Sequence, residues 1–296
     1  MRVFVTGASG FVGRRLLPRL GEAGHEALGA DRETDVTNPA AIGAALREHR
    51  PDAIIHLAAM SSVAQSWQDP ELCFHLNFTG TRSLLSALDA ECPEARLLLI
   101  GSADQYVATA PQDRPMDEST PLRPRSPYAR TKAAAELLGQ RAAERGRDII
   151  RIRAFNHTGA GQSDAFVASS FARQVAAIAA GRQAPVLRVG NLESVRDFLH
   201  VDDVIRAYLA LLDPAVPADV YHVAGEQATP IQVVLDRLLE IGGVEAQVES
   251  DPERFRPTDW LVGDASRLRA RTDWKPTISL DAILEELYRD WSNRDA

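Results

Sequence analysis

The segment VFVTGASGFVG, close to the start of the chain, constrains the fold more than any other stretch. Gly7, Gly10 and Gly13 stand between a short apolar run and a helical pattern, in the spacing G-x-x-G-x-x-G. Glycine lets the backbone approach a pyrophosphate at a helix N-terminus, where free N–H groups and the helix dipole favour negative charge. The segment therefore predicts the strand, turn and helix that open a dinucleotide-binding fold, with a purely structural glycine turn as the alternative.

Short apolar strands and longer helical patterns alternate through the first half of the chain. Strands are predicted at residues 2–6, 26–30, 53–57, 97–101 and 149–155. Helices are predicted at residues 11–23, 39–48, 71–90, 127–144, 166–180, 201–212, 231–241 and 280–291. This order is typical of a parallel sheet covered by helices on both faces, so we expect an α/β, Rossmann-type doubly wound fold.

The regular alternation loosens after Phe155, where glycines and prolines interrupt the elements. We therefore predict a dinucleotide-binding domain at residues 1–155 and a smaller C-terminal α/β substrate lobe at residues 156–296. Roughly residues 197–225 of that lobe are expected to return and pack on the main sheet. The chain has no long linker, so the two lobes are expected to form one cleft.

Charge and composition narrow the range of partners. A net charge of −8 disfavours nucleic acid and anionic membranes, because both need a positive surface field. No apolar run reaches the roughly 20 residues that span a bilayer. Cys73 and Cys92 belong to no CxxC or Cys/His pattern, and the seven histidines are scattered. We therefore expect a cytoplasmic protein without a metal site.

The end of the second predicted strand bears on the choice of dinucleotide. Asp31 can accept hydrogen bonds from both hydroxyls of an adenosine ribose, which favours NAD. The adjacent Arg32 can pair with a 2′-phosphate, which favours NADP, or it could be a solvated loop residue. NAD is preferred because a carboxylate at the strand end would repel a phosphate, and use of both cofactors stays open.

Other residues are expected along the dinucleotide. Asp35 and Val36 could border the adenine. His56 is expected to be a packed strand residue, and the backbone that follows it could line the cofactor at Leu57, Ala58 and Ala59. The further expected cofactor contacts are Phe11, Val12, Asn77, Phe155 and His157.

The segment SPYARTKAAAELL places Tyr128 and Lys132 four residues apart at the start of a helix, hence on one face. A tyrosine is a poor proton donor or acceptor near neutral pH, and a neighbouring ammonium is expected to lower its pKa. Lys132 is also expected to hold the nicotinamide ribose. An isolated Y-x-x-x-K could be a surface pair, but this one follows a complete dinucleotide pattern and a strand that ends near Ser102. We therefore expect Ser102, Tyr128 and Lys132 to form a catalytic set.

Together these features resemble the extended short-chain dehydrogenase/reductase superfamily. The later segments RAFNHTGAGQSDAFV, RVGNLESVRDFLHVDDV, RFRPTDW and TDWKP are similar to its GDP-mannose 4,6-dehydratase branch. They are nearest to the reductase members of the branch, which convert GDP-4-keto-6-deoxy-D-mannose into GDP-D-rhamnose. The resemblance covers essentially the whole chain, and it implies NAD(P) as cofactor and a GDP-linked deoxysugar as substrate.

The resemblance also implies substrate contacts. It places Asn156, Arg196 and Arg256 near the nucleotide diphosphate, and Asp259 near the guanosine ribose. Independently, an acidic protein must supply local cations to an anionic substrate, and Arg188 is a further cation of this half, although any single arginine could form a surface salt bridge. The remaining expected contacts are Val167, Asn191 and Ser62, which lies in a polar stretch that could equally lead into a helix.

Asp104 bears on which reaction the resemblance implies. In a reductase, Tyr128 protonates the oxygen formed by hydride transfer to C4 while Ser102 holds that oxygen. Dehydratases of the family carry a glutamate two residues after the Ser/Thr, and this chain has Asp104 there. The carboxylate is withdrawn by about 1.5 Å. Since a misplacement of about 1 Å can cost 10²-fold in rate, efficient dehydration is disfavoured.

The sequence thus predicts an NAD(P)H-dependent reductase of the C4 ketone. Three alternatives stay open: a reductase that forms GDP-6-deoxy-talose, a GDP-mannose 4,6-dehydratase, and a dinucleotide-binding regulator without catalysis. A homodimer is also expected, through the predicted helices at residues 71–90 and 127–144. Leu84, Leu85 and Leu88 extend the apolar surface of the first of these helices, although they could instead cover the sheet.

Overall fold

The computed structural model describes residues 1–106, 115–251 and 260–294. Arg256 and Asp259, which the resemblance assigns to the substrate, lie outside these residues. Strands β1 to β13 are, in chain order, Arg2–Thr6, Glu26–Ala30, Ala53–His56, Arg96–Ser102, Ile149–Ala154, Asn156–Thr158, Val186–Val189, Val195–Arg196, Phe198–His200, Val220–Val223, Thr229–Pro230, Gln247–Ser250 and Trp260–Leu261. Helices α1 to α11 are Gly13–Glu22, Pro39–His49, Val63–Gln68, Pro70–Phe74, Gly80–Glu91, Pro127–Glu144, Val167–Ala179, Val201–Leu211, Ile231–Gly242, Ser266–Arg271 and Leu280–Arg294.

Six of the described strands form a parallel sheet in the order β10-β5-β4-β3-β1-β2. All five strands predicted from the sequence lie in this sheet, with ends shifted by at most one residue. The sixth, β10, was not predicted, because four residues give too short a pattern. The chain order and the helices on both faces confirm the Rossmann-type doubly wound fold.

Side chains of the central strands alternate between the two faces of the sheet, as a period of two requires. Val3 and Val5 point to one face, where they pack with α1 and α8. Phe4 points to the other face, where it packs with α2, α5 and the end of α6. The predicted interface leucines of α5 belong to this second core, so they cover the sheet: Leu84, Leu85 and Leu88.

A third core holds the remaining lobe together. It joins α7, α9 and α11 to strand β7, with Phe171, Val175 and Leu284 among its fully or nearly buried side chains. Small sheets flank it: β7 pairs with β12, β8 pairs with β11 and β13, and β6 pairs with β9. Helix α8 and strand β10 return to the main sheet from this half of the chain.

The predicted helix at residues 71–90 is interrupted. It consists of α4, a π-helical turn at His75–Thr79, and α5. Such turns insert one extra residue into a helix and are frequent near functional sites. Asn77 lies in this turn and is buried.

Helix α11 ties the first helix to the loop after β6. Glu286 of α11 forms a salt bridge with Arg15 of α1, with 2.8 Å between Oε1 and Nη2. The same carboxylate accepts the N–H of Ala160 at 2.9 Å and contacts Nε2 of His200 at 2.6 Å. Asp290 accepts the next loop N–H, that of Gly161, at 2.8 Å. The last helix thus fixes the loop that leads from β6 to α7.

Candidate active site

The glycine loop lies between β1 and α1, and it has no room for side chains at two positions. Gly7 has φ +71°, and a Cβ there would lie 2.8 Å from the backbone N of Ala58. A Cβ on Gly13 would lie 2.5 Å from the carbonyl oxygens of Gly7 and Ala8. Helix α1 begins at Gly13 and has no side-chain cap at Val12. The loop therefore presents backbone N–H groups at a helix N-terminus, which suits the pyrophosphate of a dinucleotide.

Asp31 is held at the end of β2, facing the glycine loop. Its two carboxylate oxygens each lie 2.9 Å from the N–H of Ser9, which donates to them. Arg32 beside it is exposed. Asp35 accepts hydrogen bonds from the N–H and hydroxyl of Thr37, and these hold its pKa below the ordinary value. Val36 is buried close to Gly80 of α5, so it lies among packed side chains.

A cleft of about 260 Å³ joins the glycine loop to the predicted catalytic residues. Many of the residues predicted from the sequence line it: Gly7, Gly10, Phe11, Val12, Gly13, Leu57, Ala59, Ser102, Asp104, Tyr128, Lys132, Phe155, Asn156 and His157. Further lining residues were not predicted, among them Ile100, Gln162, Phe166 and Tyr208. Apart from the strand end at Ile100, these come from loops and helix faces whose position depends on long-range packing.

Ser102 ends β4 and begins a short 3₁₀ turn. Its hydroxyl accepts the N–H of Asp104 at 3.1 Å, and its own N–H donates to Oε1 of Gln105 at 2.9 Å. This reciprocal capping fixes the hydroxyl at the strand end. Ser102 also shares a hydrogen bond with the hydroxyl of Tyr128. The serine therefore both caps the turn and touches the tyrosine.

Tyr128 and Lys132 lie on the first turns of α6, where Pro127 occupies the first helical position and Ser126 caps the N-terminus. The N–H of Tyr128 donates to Oγ of Ser66 at 3.1 Å, and Nζ of Lys132 donates to the carbonyl of Ile100 at 2.8 Å. Burial lowers the pKa of Lys132 to about 8. The helix thus presents both side chains to the end of the neighbouring strand β4.

The pKa of Tyr128 is raised, which corrects the prediction that Lys132 lowers it. Burial is the main cause, and the negative charge of Asp104 adds to it, while the hydrogen bond with Ser102 opposes it. The sequence could not give this direction, because the burial of Tyr128 depends on packing between distant elements. The phenol is therefore protonated at neutral pH, as it is in an ordinary tyrosine, so Tyr128 is in the form that can donate a proton.

Three predicted contacts lie behind the cleft or beside it. Asn77 is buried and donates to the carbonyl of Met60 at 3.1 Å and to Oγ1 of Thr131 at 3.0 Å, so its side chain supports the cleft wall and does not line the cleft. Ser62 caps α3 by accepting the N–H of Gln65 at 3.2 Å, which is the helix lead-in that was the alternative. Val167 packs on the third core, and the neighbouring Phe166 lines the cleft instead.

Arg188 and Arg196, two of the predicted cations of the substrate half, lie outside this cleft. Arg188 is exposed on β7, and Arg196 lies on β8, where its Nη1 donates to the carbonyl of Val195 at 3.0 Å. Asn191 accepts the N–H of Glu193 at 2.9 Å. Their substrate contacts stay predictions. His56, by contrast, is packed as expected: it contacts Oγ1 of Thr6 at 2.8 Å, and burial lowers its pKa to about 3.

Asp197, next to Arg196, was missed by the sequence analysis. It is fully buried and accepts backbone N–H groups from Gly225 at 2.7 Å, Glu226 at 2.9 Å and Gly263 at 3.2 Å. Burial raises its pKa to about 7 although these three donors oppose the shift. The carboxyl group thereby joins three separate segments beside β8.

Among the described residues, no helix is both long enough and apolar enough to cross a membrane. In the same part of the chain, no group of three or more His, Cys, Asp or Glu side chains is arranged to hold a metal ion.

The parallel sheet, the glycine loop and the Ser102, Tyr128 and Lys132 set in one cleft define a short-chain dehydrogenase/reductase. Comparisons with known proteins identify the family within this class. Residues 32–287 match the family described as GDP-mannose 4,6 dehydratase. The chain therefore belongs to the GDP-mannose 4,6-dehydratase family.

Individual relatives resemble the chain over nearly its whole length. It is 38% identical to GDP-6-deoxy-D-mannose reductase of Pseudomonas aeruginosa, over 99% of this chain and 98% of the relative. It is 29% identical to GDP-6-deoxy-D-talose 4-dehydrogenase of Aggregatibacter actinomycetemcomitans, over 98% of each chain. The structure of RMD from Pseudomonas aeruginosa complexed with NADPH superposes with a TM-score of 0.91, at 38% identity and over 99% of both chains.

Proposed function

We propose that the protein is an NAD(P)H-dependent reductase that converts the C4 ketone of GDP-4-keto-6-deoxy-D-mannose into the alcohol of GDP-D-rhamnose. The observation that carries this proposal is the meeting of the glycine loop with Ser102, Tyr128 and Lys132 in one cleft. The similarity to the Pseudomonas aeruginosa GDP-6-deoxy-D-mannose reductase supports the choice of substrate.

Tyr128 and Ser102 are placed to assist reduction of the C4 ketone. A bound nicotinamide dinucleotide supplies the hydride that adds to C4 of the ketone. Tyr128 then gives its proton to the C4 oxygen, and Ser102 donates a hydrogen bond to that oxygen as negative charge develops on it. Lys132 stabilises the phenolate that Tyr128 becomes.

Substrate contacts follow from the cleft and from the resemblance. Asn156 is exposed at the cleft wall, where it can donate to a phosphate oxygen. Arg188, Arg196 and Arg256 are proposed to supply the cations for the diphosphate, and Asp259 to contact the guanosine ribose. The product with the opposite configuration at C4, GDP-6-deoxy-talose, is the second candidate, because a talose dehydrogenase is also similar over the whole chain.

One assay tests the reaction and the cofactor together. The pure protein is mixed with enzymatically prepared GDP-4-keto-6-deoxy-D-mannose and either NADH or NADPH, and cofactor oxidation is followed by absorbance. NMR then identifies the product sugar. We expect stoichiometric cofactor oxidation and GDP-D-rhamnose. Failure to oxidise either cofactor, or accumulation of a 4-keto-6-deoxy sugar from GDP-mannose and NAD(P)⁺ at a comparable rate, contradicts the proposal.

Within this proposal we expect a preference for NADH. The carboxylate of Asp31, fixed by the N–H of Ser9, lies where a ribose can be bound through both hydroxyls, and it repels a 2′-phosphate. The NADPH bound to RMD supports use of the phosphorylated cofactor as well, for which the exposed Arg32 is the available partner. The ratio of kcat/KM values for NADH and NADPH measures the preference.

We further propose a homodimer that acts in the cytoplasm. Large apolar side chains are exposed on adjoining helices: Trp67 at 57%, Leu72 at 43%, Phe74 at 49% and Leu137 at 52%. Leu72 and Phe74 on α4 and Leu137 on α6 lie within the two helices predicted to form the interface, whereas Trp67 on α3 lies outside them, and none of the four is among the leucines first named. Two free cysteines support a reducing compartment. A monomer mass in light scattering contradicts the dimer.

The division at residues 155 and 156 is likewise proposed, with roughly residues 197–225 belonging to the dinucleotide-binding domain. Helix α8 in the first core and β10 beside β5 support this division.

A further inference from the structure

Tyr208 lies on α8 and lines the cleft together with Tyr128 and Phe155. Its side chain is fully buried in the first core. Its hydroxyl oxygen is also buried, and it has no hydrogen-bond partner among the described residues. A buried hydroxyl without a partner is unfavourable, so its retention calls for a physical reason.

The other tyrosines of the folded core show what the chain provides when a hydroxyl is structural. The hydroxyl of Tyr221 donates to the carbonyl of Pro217 at 2.9 Å. That of Tyr106 lies 2.6 Å from Nε2 of His222. Among the buried side-chain atoms that lack a partner in the described part of the chain, only the Tyr208 hydroxyl belongs to a residue that lines the cleft.

The position of Tyr208 indicates which part of a ligand it meets. Tyr128 is close enough to influence its ionisation, and burial together with that neighbour raises the pKa of Tyr208. The phenol therefore stays protonated and can donate. Tyr128 marks the reacting end of the cleft, whereas the adenine end lies near Asp31 on the far side of the glycine loop.

We propose that the Tyr208 hydroxyl donates a hydrogen bond to an acceptor oxygen in the nicotinamide half of the bound dinucleotide. This inference rests on the proposed cofactor use. It gives the orphan hydroxyl a partner that is present only in the complex, and it makes Tyr208 a cofactor-binding residue contributed by a helix that returns from the second half of the chain.

Tyr208→Phe removes the hydroxyl and keeps the ring that packs in the core. Dissociation constants of NADH and NADPH are measured by calorimetry without substrate, and the melting temperature of the free protein is measured alongside. We expect binding about threefold to tenfold weaker, the loss of one hydrogen bond, with an unchanged or higher melting temperature. Binding of 5′-AMP, which carries only the adenine half, is expected to be unchanged.

Tyr221→Phe is the matched control. It removes a hydroxyl that has a protein partner, so it should lower the melting temperature and leave dinucleotide binding unchanged. If Tyr208→Phe binds both dinucleotides as the wild type does, the hydroxyl has no role in cofactor binding. If it destabilises the free protein as Tyr221→Phe does, the hydroxyl has a partner within the protein, and the premise of the proposal fails. If the wild type binds neither NADH nor NADPH, the proposed function fails, and this inference fails with it.

Discussion

The carboxylate of Glu136 and the guanidinium of Arg153 form a buried ion pair behind Ser102, with 2.6 Å between Oε1 and Nη2. Glu136 lies one turn beyond Lys132 on α6, and Arg153 pairs in register with Gly101 on β4. Gln105 continues the contact, because its Nε2 donates to Glu136 while its Oε1 accepts the N–H of Ser102. The helix that carries Tyr128 and the strand end that carries Ser102 are therefore held by one polar network.

Glu136→Gln should be strongly destabilising. It leaves the Arg153 charge buried without a counter-charge, which typically costs about 3–5 kcal/mol of unfolding free energy. Urea unfolding measures the loss. Glu144→Gln, at an exposed pair with Arg141 on the same helix, is the control and should change stability by less than about 1 kcal/mol. A loss at Glu136 no larger than that of the control would mean that the pair does not support the site.

Tyr128→Phe should lower kcat by about 10²–10⁴-fold, because the phenol is the proton donor to the C4 oxygen. The ring still fills its buried position, so cofactor binding should change little. Stopped-flow measurement of cofactor oxidation gives kcat, and titration of NADH gives the dissociation constant. Unchanged turnover would remove Tyr128 from the mechanism, whereas no turnover in the wild type would favour the non-catalytic regulator.

Asp104→Asn should shift the pH dependence of reduction. A reductase needs protonated Tyr128, so its rate falls as pH rises through the pKa of that phenol. The charge of Asp104 raises this pKa, and its removal lowers it. The alkaline limb of kcat should therefore move to lower pH. Asp281→Asn, at an exposed pair with Arg237, should leave the limb in place. A limb that stays fixed or moves upward in Asp104→Asn would contradict the electrostatic link.

Asp104→Glu should increase dehydration of GDP-mannose. The longer side chain restores about 1.5 Å of reach, and a correction of this size can be worth 10-fold or more in rate. The test is NMR detection of the 4-keto-6-deoxy product from GDP-mannose and NAD⁺, with the wild type in parallel. Equal and substantial dehydration by both proteins would show that the length of the acid does not separate the two reactions.

Stability should fall as the pH drops below about 6.5. Burial lowers the pKa of His56 and of His222 to about 3. Between about pH 6.5 and that value the unfolded chain therefore binds two protons that the folded protein does not bind. Asp197, with a pKa of about 7, opposes the loss by holding a proton only in the folded state. Burial also lowers the pKa of His157 and of His25, so the histidines together outweigh Asp197 and the folded protein loses stability as the pH falls. Urea unfolding at pH 6 and pH 5 measures it, and equal or greater stability at pH 5 would be inconsistent.

The sequence located the parts of the site that depend on local spacing. Gly7 and Gly13 lie in one turn, and Tyr128 and Lys132 lie on one helix. The proximity of the two residues in each pair could therefore be predicted without knowing the sheet order. The place of strand β10 in the sheet could not be predicted, because β10 pairs with β5 across more than sixty residues of intervening chain.

Side-chain roles were harder to predict than element positions. Asn77 was expected to contact the cofactor, but a π-helical turn directs it to Met60 and Thr131. The pKa of Tyr128 is raised, opposite to the expectation, because the side chain is buried and lies near the negative charge of Asp104. Tyr208 was not predicted, because the expected return of residues 197–225 to the sheet does not show which side chains of α8 reach the cleft.

The contact between Glu286 and Ala160 can form only late in synthesis on the ribosome. The loop after β6 gains this anchor only when α11 has been translated and has emerged. At about 5–20 residues per second, on the order of ten seconds separate the two segments. The glycine loop is therefore translated long before the loop after β6, on the opposite side of the cleft, can be held in place. A nascent chain stalled before Glu286 would contain the folded sheet but an incomplete ligand site.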